Sequence, residues 1–347
     1  MTEGSPSRTG VRRLGAARAG RPIEWPTLLL LAGVHATWAA LLWWGDAIPP
    51  LAALLILGPI LTLHSSLQHE VLHGHPTADS RLNDAMVALP LGLLVPYRRF
   101  RDLHLAHHHD PNLTDPYDDP ETNYLDPVHW ARMGALWRLV WRANNTLLGR
   151  MALGPVLAQW TLIREDWRAR HDPAVRSAWA LHGVGVAVVL ALVAASEVPL
   201  WAYLGGCWLA MSILRIRTFL EHRAAHAPRE RSVIIEDRGP LALLFLNNNF
   251  HAVHHARPTL PWYRLPAAYA AERETVLRRN GGYRYTSYWP VFRDHLLRAK
   301  DPVPHPFWHS GNRTTARQDA AAVLSSILPE GAPPAAPQPA RSRVERS

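Results

Sequence analysis

Long apolar blocks along the chain alternate with polar segments that are rich in arginine. Four of the blocks come close to the ~20 residues that a helix needs to cross the hydrocarbon core of a bilayer. They cover residues 26–44, 51–67, 178–195 and 200–216. Turns at residues 45–50 and 196–199 join the blocks in pairs. The pattern therefore predicts an all-α integral membrane protein whose four transmembrane helices form two hairpins.

Two further stretches are partly apolar but do not fit a simple span. Residues 85–95 are too few to cross a bilayer and include Pro90 and Gly92, so we expect an interfacial or re-entrant piece there. Between Trp130 and Trp167, tryptophans alternate with arginines. This pattern is typical of a helix that lies at the level of the lipid headgroups.

The placement of arginines sets the expected orientation. Arginines crowd the first 21 residues and the segments 97–101 and 215–231, while the two short turns at the other side carry only acids. Because cytoplasmic loops carry the excess of positive residues, we expect both termini on the cytoplasmic side. A soluble helical protein with two buried hairpins is the alternative, which this charge asymmetry disfavours.

Both ends of the chain differ in composition from the middle. Residues 1–25 form a basic leader that lacks the apolar stretch of a secretory signal, and residues 309–347 are rich in Pro, Ala and Arg. Neither segment has the composition to build a core. We therefore expect two disordered ends around one membrane domain at residues 26–308.

Composition excludes several kinds of site. Cys207 is the only cysteine, which rules out an intrachain disulfide, a Cys-x-x-Cys redox pair and a four-thiolate metal site. The net charge of +9 fits either nucleic acid or an anionic membrane surface. No nucleic-acid-binding module is recognisable, so we favour the membrane and expect no nucleic-acid partner. The 20 histidines are many for 347 residues, and they occur in groups.

Three groups of histidines have the spacing that places side chains on one face of a helix. They are His69-Glu70-Val71-Leu72-His73, His104-Leu105-Ala106-His107-His108 and His251-Ala252-Val253-His254-His255. Residues i, i+3 and i+4 are neighbours on a helix, so we expect two imidazoles to point one way in the first group and three in each of the others. All three groups fall on the predicted cytoplasmic side. Eight imidazoles exceed what one ion accepts, which indicates two metal ions held in a cytoplasmic helical cap.

The roles of other polar residues near these groups stay open. An asparagine among Asn247, Asn248 and Asn249 would orient a ligand, hold a metal-bound water or cap a helix. An acidic stretch follows the second group and would either accept imidazole N–H groups or form a solvated, turn-rich loop. Its members are Asp110, Asp115, Asp118, Asp119 and Glu121. We expect the flanking His64, His75 and His109 to lie beside the ligands or at the surface, without being ligands.

The order and spacing of the groups resemble the membrane fatty-acid desaturase and hydroxylase superfamily, whose members carry one His-x3-4-His box followed by two His-x2-His-His boxes. The resemblance covers residues 26–266. The segment Arg217-Thr218-Phe219-Leu220-Glu221-His222-Arg223 also looks like the family, whose members often place one more ligand there. It implies His222 as a ninth ligand, with His226 as the alternative. The implied metal ligands are His69, His73, His104, His107, His108, His222, His251, His254 and His255.

The resemblance implies an enzyme in which two iron ions activate dioxygen, with no separate catalytic side chain. The expected reaction introduces a double bond into a fatty acyl chain or a related lipid. Hydroxylation, ketolation or desaturation of a non-acyl metabolite is the alternative within the superfamily. Electrons are expected from an external ferredoxin or cytochrome, which Arg98, Arg99 and Arg101 would steer unless they bind lipid headgroups.

Two hypotheses from other classes compete with the oxidase. His69-Glu70-x-x-His73 also fits the signature of zinc metalloproteases, with Glu70 as general base, but a protease would leave the other two histidine groups idle. A metal transporter is the non-enzymatic alternative. Its histidines should line a path across the bilayer, whereas these are expected together at one side.

Overall fold

The computed structural model describes residues 22–308, so the predicted leader, apart from residues 22–25, and the predicted tail lie outside the described residues. The described part is mainly helical. Its α-helices are α1 (Trp25–Trp43), α2 (Pro50–Leu72), α3 (Ser80–Met86), α4 (Tyr97–His109), α5 (Pro127–Arg132), α6 (Ala135–Asn144), α7 (Leu147–Arg168), α8 (Pro173–Ala194), α9 (Leu200–Thr218), α10 (Pro240–Leu244), α11 (His251–Ala256), α12 (Leu265–Arg279) and α13 (Tyr288–His295). Two short parallel strands, β1 (Ile234–Ile235) and β2 (Arg284–Tyr285), pair with each other.

Among the described residues, three helices are long and apolar enough to cross a membrane, namely α1, α2 and α8. The fourth expected span is also a helix, α9, but its last turn carries Arg215 and Arg217, which lower its mean hydropathy. Two helices are longer than the apolar blocks from which they were predicted. α2 continues to Leu72, and α8 begins at Pro173 because the side chain of Asp172 accepts the N–H of Ala174 and caps the first turn.

Close packing of α2 against α9 forms the centre of the fold, and glycines allow it. A Cβ atom added at Gly206 would lie 2.6 Å from Leu57 Cβ, and one added at Gly58 would lie 2.5 Å from Leu209 Cδ2. Both distances are too short for non-bonded carbon atoms, so the two helices approach as they do only because these positions lack side chains. α1 packs on α2 and α7 packs on α9.

The turns of the two predicted hairpins touch each other. A Cβ atom added at Gly45, between α1 and α2, would lie 2.8 Å from Val198 Cγ2 and 3.3 Å from the carbonyl carbon of Glu197, between α8 and α9. The first histidine group lies near the other end of α2. His69 is 19 residues along that helix from Pro50, a rise of roughly 28 Å.

The predicted interfacial or re-entrant piece, residues 85–95, begins in the last residues of α3, and from residue 87 onward it is irregular and lies against helices. Its carbonyl groups are held by side chains of those helices: Tyr203 donates its hydroxyl to Leu91 O at 2.7 Å, and Gln159 donates Nε2–H to Leu94 O at 2.8 Å. Irregular backbone is tolerated at membrane depth only with such partners. The tryptophan-rich stretch, expected as one helix, forms three instead, α5 to α7. Their breaks lie at Met133-Gly134 and Asn145-Thr146, where Thr146 caps α7.

Candidate metal centre

The nine histidines expected as ligands lie together in two adjacent groups. The five-histidine group consists of His69, His73, His104, His108 and His254, and the four-histidine group consists of His107, His222, His251 and His255. Within each group the candidate ligand nitrogens all lie within 4.8 Å of one another. Four separate segments contribute: the end of α2, α4, the loop after α9 and α11.

The second and third histidine boxes are each divided between the two groups. On α4, His104 and His108 face the five-histidine group while His107 faces the other. On α11 the division is reversed, since only His254 joins the five-histidine group. The expectation that all three imidazoles of a box point one way is therefore wrong. Adjacent residues on a helix differ by about 100° in direction, and that rotation lets one box serve two neighbouring centres.

Distances between the ring nitrogens match those between ligands of one ion. In the five-histidine group, His108 Nε2 lies 3.0 Å from His104 Nε2 and 3.1 Å from His254 Nε2. In the four-histidine group, His222 Nε2 lies 3.0 Å from His107 Nε2 and 3.1 Å from His251 Nε2. Two nitrogens at about 2.1 Å from one ion, at 90° to 109°, are separated by roughly 3.0 to 3.4 Å.

Two further imidazoles have buried nitrogens that need a partner. The Nε2 atoms of His69 and His73 are buried and form no hydrogen bond with any residue from 22 to 308. A buried polar atom without a partner is costly, and it marks a place where an ion or water belongs. Because both atoms lie in the five-histidine group, a metal ion fits that group on the chemistry of its residues.

Carboxylates from the acidic stretch orient two of the clustered histidines. His104 donates its Nδ1–H to Glu121 Oε1 at 2.8 Å, and His107 donates its Nδ1–H to Asp119 Oδ1 at 2.7 Å. Since a carboxylate accepts the Nδ1 proton, the Nε2 lone pair of each ring is left facing its group. Such a contact fixes the tautomer of a metal ligand and raises its basicity. Of the two roles left open for the acidic stretch, orientation holds for these two residues.

The four-histidine group has its own supporting contacts. His251 Nδ1 lies 3.2 Å from Asn248 Oδ1, and Asn248 donates its amide to Glu221 Oε1 at 3.0 Å. Glu221 forms a buried ion pair with Arg217 at 2.9 Å. Asn248 thus contacts and orients His251, in line with one of its three predicted roles. Glu221 was missed as a supporting residue, although it lies directly before His222.

Electrostatics keep most of the imidazoles neutral, which is the form that binds metal. Burial, followed by repulsion from neighbouring imidazoles, lowers the pKa of His108 and of His222 to about 3 each. The same causes hold the pKa of His254 well below its usual value. His107 differs: burial opposes protonation, but Glu121 and Asp119 raise its pKa to about 9. Glu121 in turn stays ionised because, against the effect of burial, His104 and His107 lower its pKa.

The other histidines near the boxes do not join either group. The ring of His226, the alternative to His222, stacks on Phe307 with centroids 4.1 Å apart. His75 bonds to both carboxylate oxygens of Glu24 at 2.8 Å. His64 packs edge-on against the ring of His35, and the exposed His109 bonds to the carbonyl of Leu105.

Two of the three arginines expected to steer an electron donor are used inside the protein. Arg99 pairs with the buried Asp166 at 2.7 Å, and Arg101 pairs with Asp84 at 2.7 Å. Arg98 is exposed. The steering hypothesis therefore loses the contribution of Arg99 and Arg101, whose charges are matched within the fold.

Comparison with known proteins agrees with this geometry. Over 259 residues the chain is 26% identical to a beta-carotene ketolase from Paracoccus sp. (strain N81106 / MBIC 01143), an alignment that covers 70% of this chain and 91% of the relative. The profile of the family described as "Fatty acid desaturase" matches residues 46–287, which include all nine clustered histidines. The chain therefore belongs to the fatty acid desaturase family.

Proposed function

We propose that this protein is a membrane-bound, O2-dependent oxidoreductase that holds two iron ions in its two histidine groups and oxidises C–H bonds of a lipid. The observation that carries the proposal is the pair of adjacent groups, in which nine imidazoles from four segments converge. Nine nitrogen ligands are too many for one ion and suit two.

The chemistry of the donors favours iron working with dioxygen. When bound, two ferrous ions would supply the strong oxidant that attack on an unactivated C–H bond requires and that no side chain provides. The protein's own residues hold the ligands in place and keep them dry. His104, His107 and His254 are each at most 2% exposed. Asp119 and Glu121 keep the Nδ1 protons away from the metal-facing nitrogens.

The proposed membrane arrangement has four spans, α1, α2, α8 and α9, with the histidine groups in a cytoplasmic helical cap. Contact between Gly45 and Val198 supports it, because both turns then lie at one side. The roughly 28 Å from Pro50 to His69 is close to the ~30 Å thickness of the hydrocarbon core, which supports a position of the groups near the opposite surface. The arginines of α9 face that side, so the positive-inside rule makes it cytoplasmic, together with both termini. We retain residues 26–308 as the membrane domain.

A lipid substrate fits this location. The centre lies at the end of apolar helices, and α8 exposes Leu181, Val184, Val188 and Leu192 along its length. An apolar chain dissolved in the bilayer reaches such a site without crossing water. The substrate class proposed is therefore a fatty acyl lipid or another long apolar lipid.

The reaction has two candidate outcomes, each favoured by one comparison. The family's description favours desaturation, in which an acyl chain loses two hydrogens while O2, two electrons and two protons become two molecules of water. The name of the relative favours oxygen insertion. In that reaction O2, two electrons and two protons convert a C–H bond to C–OH and release one molecule of water. A second oxidation of the same carbon, with the same reactants, yields C=O. Both need an external electron donor of the ferredoxin or cytochrome type.

The metalloprotease alternative is weakened by the surroundings of Glu70. Its Oε2 accepts the backbone N–H of Trp262 at 3.2 Å, and the two histidines of the same motif lie among three others. The transporter alternative is weakened because all nine imidazoles lie together and do not follow a path along the helices.

Turnover by isolated membranes tests the proposal. Membranes containing the protein, ferredoxin, ferredoxin reductase and NADPH are incubated with saturated acyl phospholipid or with β-carotene under 18O2, and products are analysed by mass spectrometry. Desaturation lowers the mass of the lipid by two units without label, and oxygen insertion adds 18O. Membranes with a His254→Ala variant are the control. If a preparation with full iron content leaves both lipids unlabelled and unchanged in mass, neither desaturation nor oxygen insertion takes place on these substrates.

A further inference from the structure

A C-terminal strap, residues 296–307, follows α13 and lies beyond the residues matched by the family profile. Its two buried polar side chains are Lys300 and His305, whose side chains reach segments that carry metal ligands. The strap also runs beside the loop that contains Asp119. Leu125 N donates to Val303 O at 3.0 Å, and His305 N donates to Leu125 O at 2.9 Å.

The first contact of the strap is with His222. Lys300 Nζ donates to the backbone carbonyl of His222 at 3.0 Å and to the hydroxyl of Tyr283 at 3.3 Å, and it pairs with Asp301. Tyr283 donates in turn to Leu220 O at 2.7 Å. The ammonium group of Lys300 thus holds the loop after α9 at His222, a member of the four-histidine group.

The second contact is a hydrogen-bonded chain to His107. His305 Nδ1 accepts the N–H of Phe307 at 3.2 Å, so its Nε2 carries the proton and donates to Thr114 Oγ1 at 3.1 Å. The backbone N–H of Thr114 donates to Asp119 Oδ2 at 2.8 Å. Asp119 Oδ1 accepts the Nδ1–H of His107 at 2.7 Å.

Both chains of contacts end on the same pair of ligands. His107 and His222 are neighbours in the four-histidine group, with their Nε2 atoms 3.0 Å apart. Thr114 adopts a left-handed conformation, with φ of 76°, that is uncommon for a β-branched residue, and its side chain is fully buried. Tertiary contacts must therefore hold it, and the strap provides one through His305.

We propose that the C-terminal strap presets the metal position of the four-histidine group, with Lys300 and His305 as positioning residues that hold His222 and His107. The proposal rests on the proposed function, because it concerns one of the two metal positions. The five-histidine group receives most of its support from elsewhere: Glu121 Oε1 orients His104, and His69 and His73 are carried by the end of α2. It is linked to the contacts of the strap through the backbone N–H of Glu121, which donates to Asp119 Oδ1 at 2.9 Å.

Metal titration of the full-length protein in nanodiscs tests this inference without measuring turnover. Fe2+ is added anaerobically to the metal-free protein, and bound iron and affinity are measured for each position. We expect Lys300→Met and His305→Phe to weaken one of the two positions by about 10- to 100-fold, the usual effect of losing a contact behind a ligand. Arg298→Gln, an exposed cation of the same strap, is the matched control and should bind as the wild type does.

Double variants identify which position is weakened. In a His73→Ala background, which damages the five-histidine group, Lys300→Met should abolish the remaining high-affinity binding. In a His255→Ala background, which damages the four-histidine group, it should change the remaining affinity less than twofold.

The possible failures are distinguishable. A wild-type protein that binds fewer than two ions would contradict the proposed function itself. If the wild type binds two ions and both strap variants bind them with unchanged affinity, the strap does not preset the site. Loss of both ions in both variants would also overturn the inference, because the strap would then support the whole domain and not one metal position.

Discussion

The imidazole of His108 lies nearly flat against that of His255, with ring centroids 4.2 Å apart and planes 17° from parallel. The two rings belong to different histidine groups, so the two groups are in direct contact. With iron bound in both groups, the two ions would act on one substrate, and damage to either group should stop the reaction.

The first prediction concerns one ligand from each group. Replacing His107 or His254 with alanine should lower the iron content and abolish lipid oxidation, while the protein still inserts into membranes. Iron per chain by mass spectrometry and the amount of protein in washed membranes check this. Full activity in either variant would remove that residue from the set of ligands.

The second prediction concerns the carboxylate behind His107. Asp119→Asn removes the charge that accepts the Nδ1 proton, and we expect iron affinity to fall about 10- to 100-fold. Asp118→Asn, an exposed acid of the same loop, is the control and should leave affinity within twofold. Equal affinities in the two variants would show that the contact of Asp119 with His107 does not support metal binding.

The third prediction separates the oxidase from the metalloprotease. Glu70→Gln keeps an oxygen that can accept the N–H of Trp262, so we expect two bound irons and substantial lipid oxidation. A protease would lose nearly all activity with its general base. Peptidase activity in the wild type that disappears in this variant, with zinc bound in place of iron, would decide for the protease.

The fourth prediction concerns the packing of α2 against α9. Gly206→Leu forces a side chain into space occupied by Leu57, and we expect a loss of about 1–3 kcal/mol in stability together with weaker iron binding, because α2 carries His69. Gly33→Leu is the control, since a Cβ atom added there would meet no atom of the described residues within 4 Å. Thermal unfolding in detergent should separate the two variants.

The fifth prediction tests the membrane orientation. Cys207 is buried, so cysteines introduced at exposed positions report accessibility to a membrane-impermeant maleimide. We expect labelling of intact cells at Asp46→Cys and Glu197→Cys, in the two turns, and labelling of Arg229→Cys only after the membrane is opened. The reverse pattern would invert the proposed topology, and one labelled turn without the other would exclude the paired hairpins.

The sequence predicted the helices and the histidines well because both depend on local spacing. Apolar length located α1, α2 and α8, and the recurrence of histidine at i, i+3 and i+4 located residues of the two histidine groups. The division of each box between two groups was not predictable in this way. It depends on how α4 and α11 are rotated against their neighbours, which is decided by tertiary packing.

Supporting contacts were the least predictable part. Asp119 and Asp118 look alike in the sequence, yet Asp119 is buried and contacts His107 while Asp118 is exposed, a difference that depends on how the loop folds. Glu221 and Lys300 act through contacts that no local pattern marks. The hairpin pattern likewise did not reveal that α9 packs mainly on α2 and far less on its own partner α8.

α2 is one continuous helix from Pro50 to Leu72, so the segment proposed to cross the membrane also carries His69. One residue inserted before His69 would rotate its ring by about 100° and shift it by about 1.5 Å, enough to remove it from its group. The length of this helix is therefore constrained by the histidines at its end. In a bilayer of different thickness we expect the helix to tilt or the bilayer to thin or thicken around it, since adding or removing a residue of α2 would displace His69.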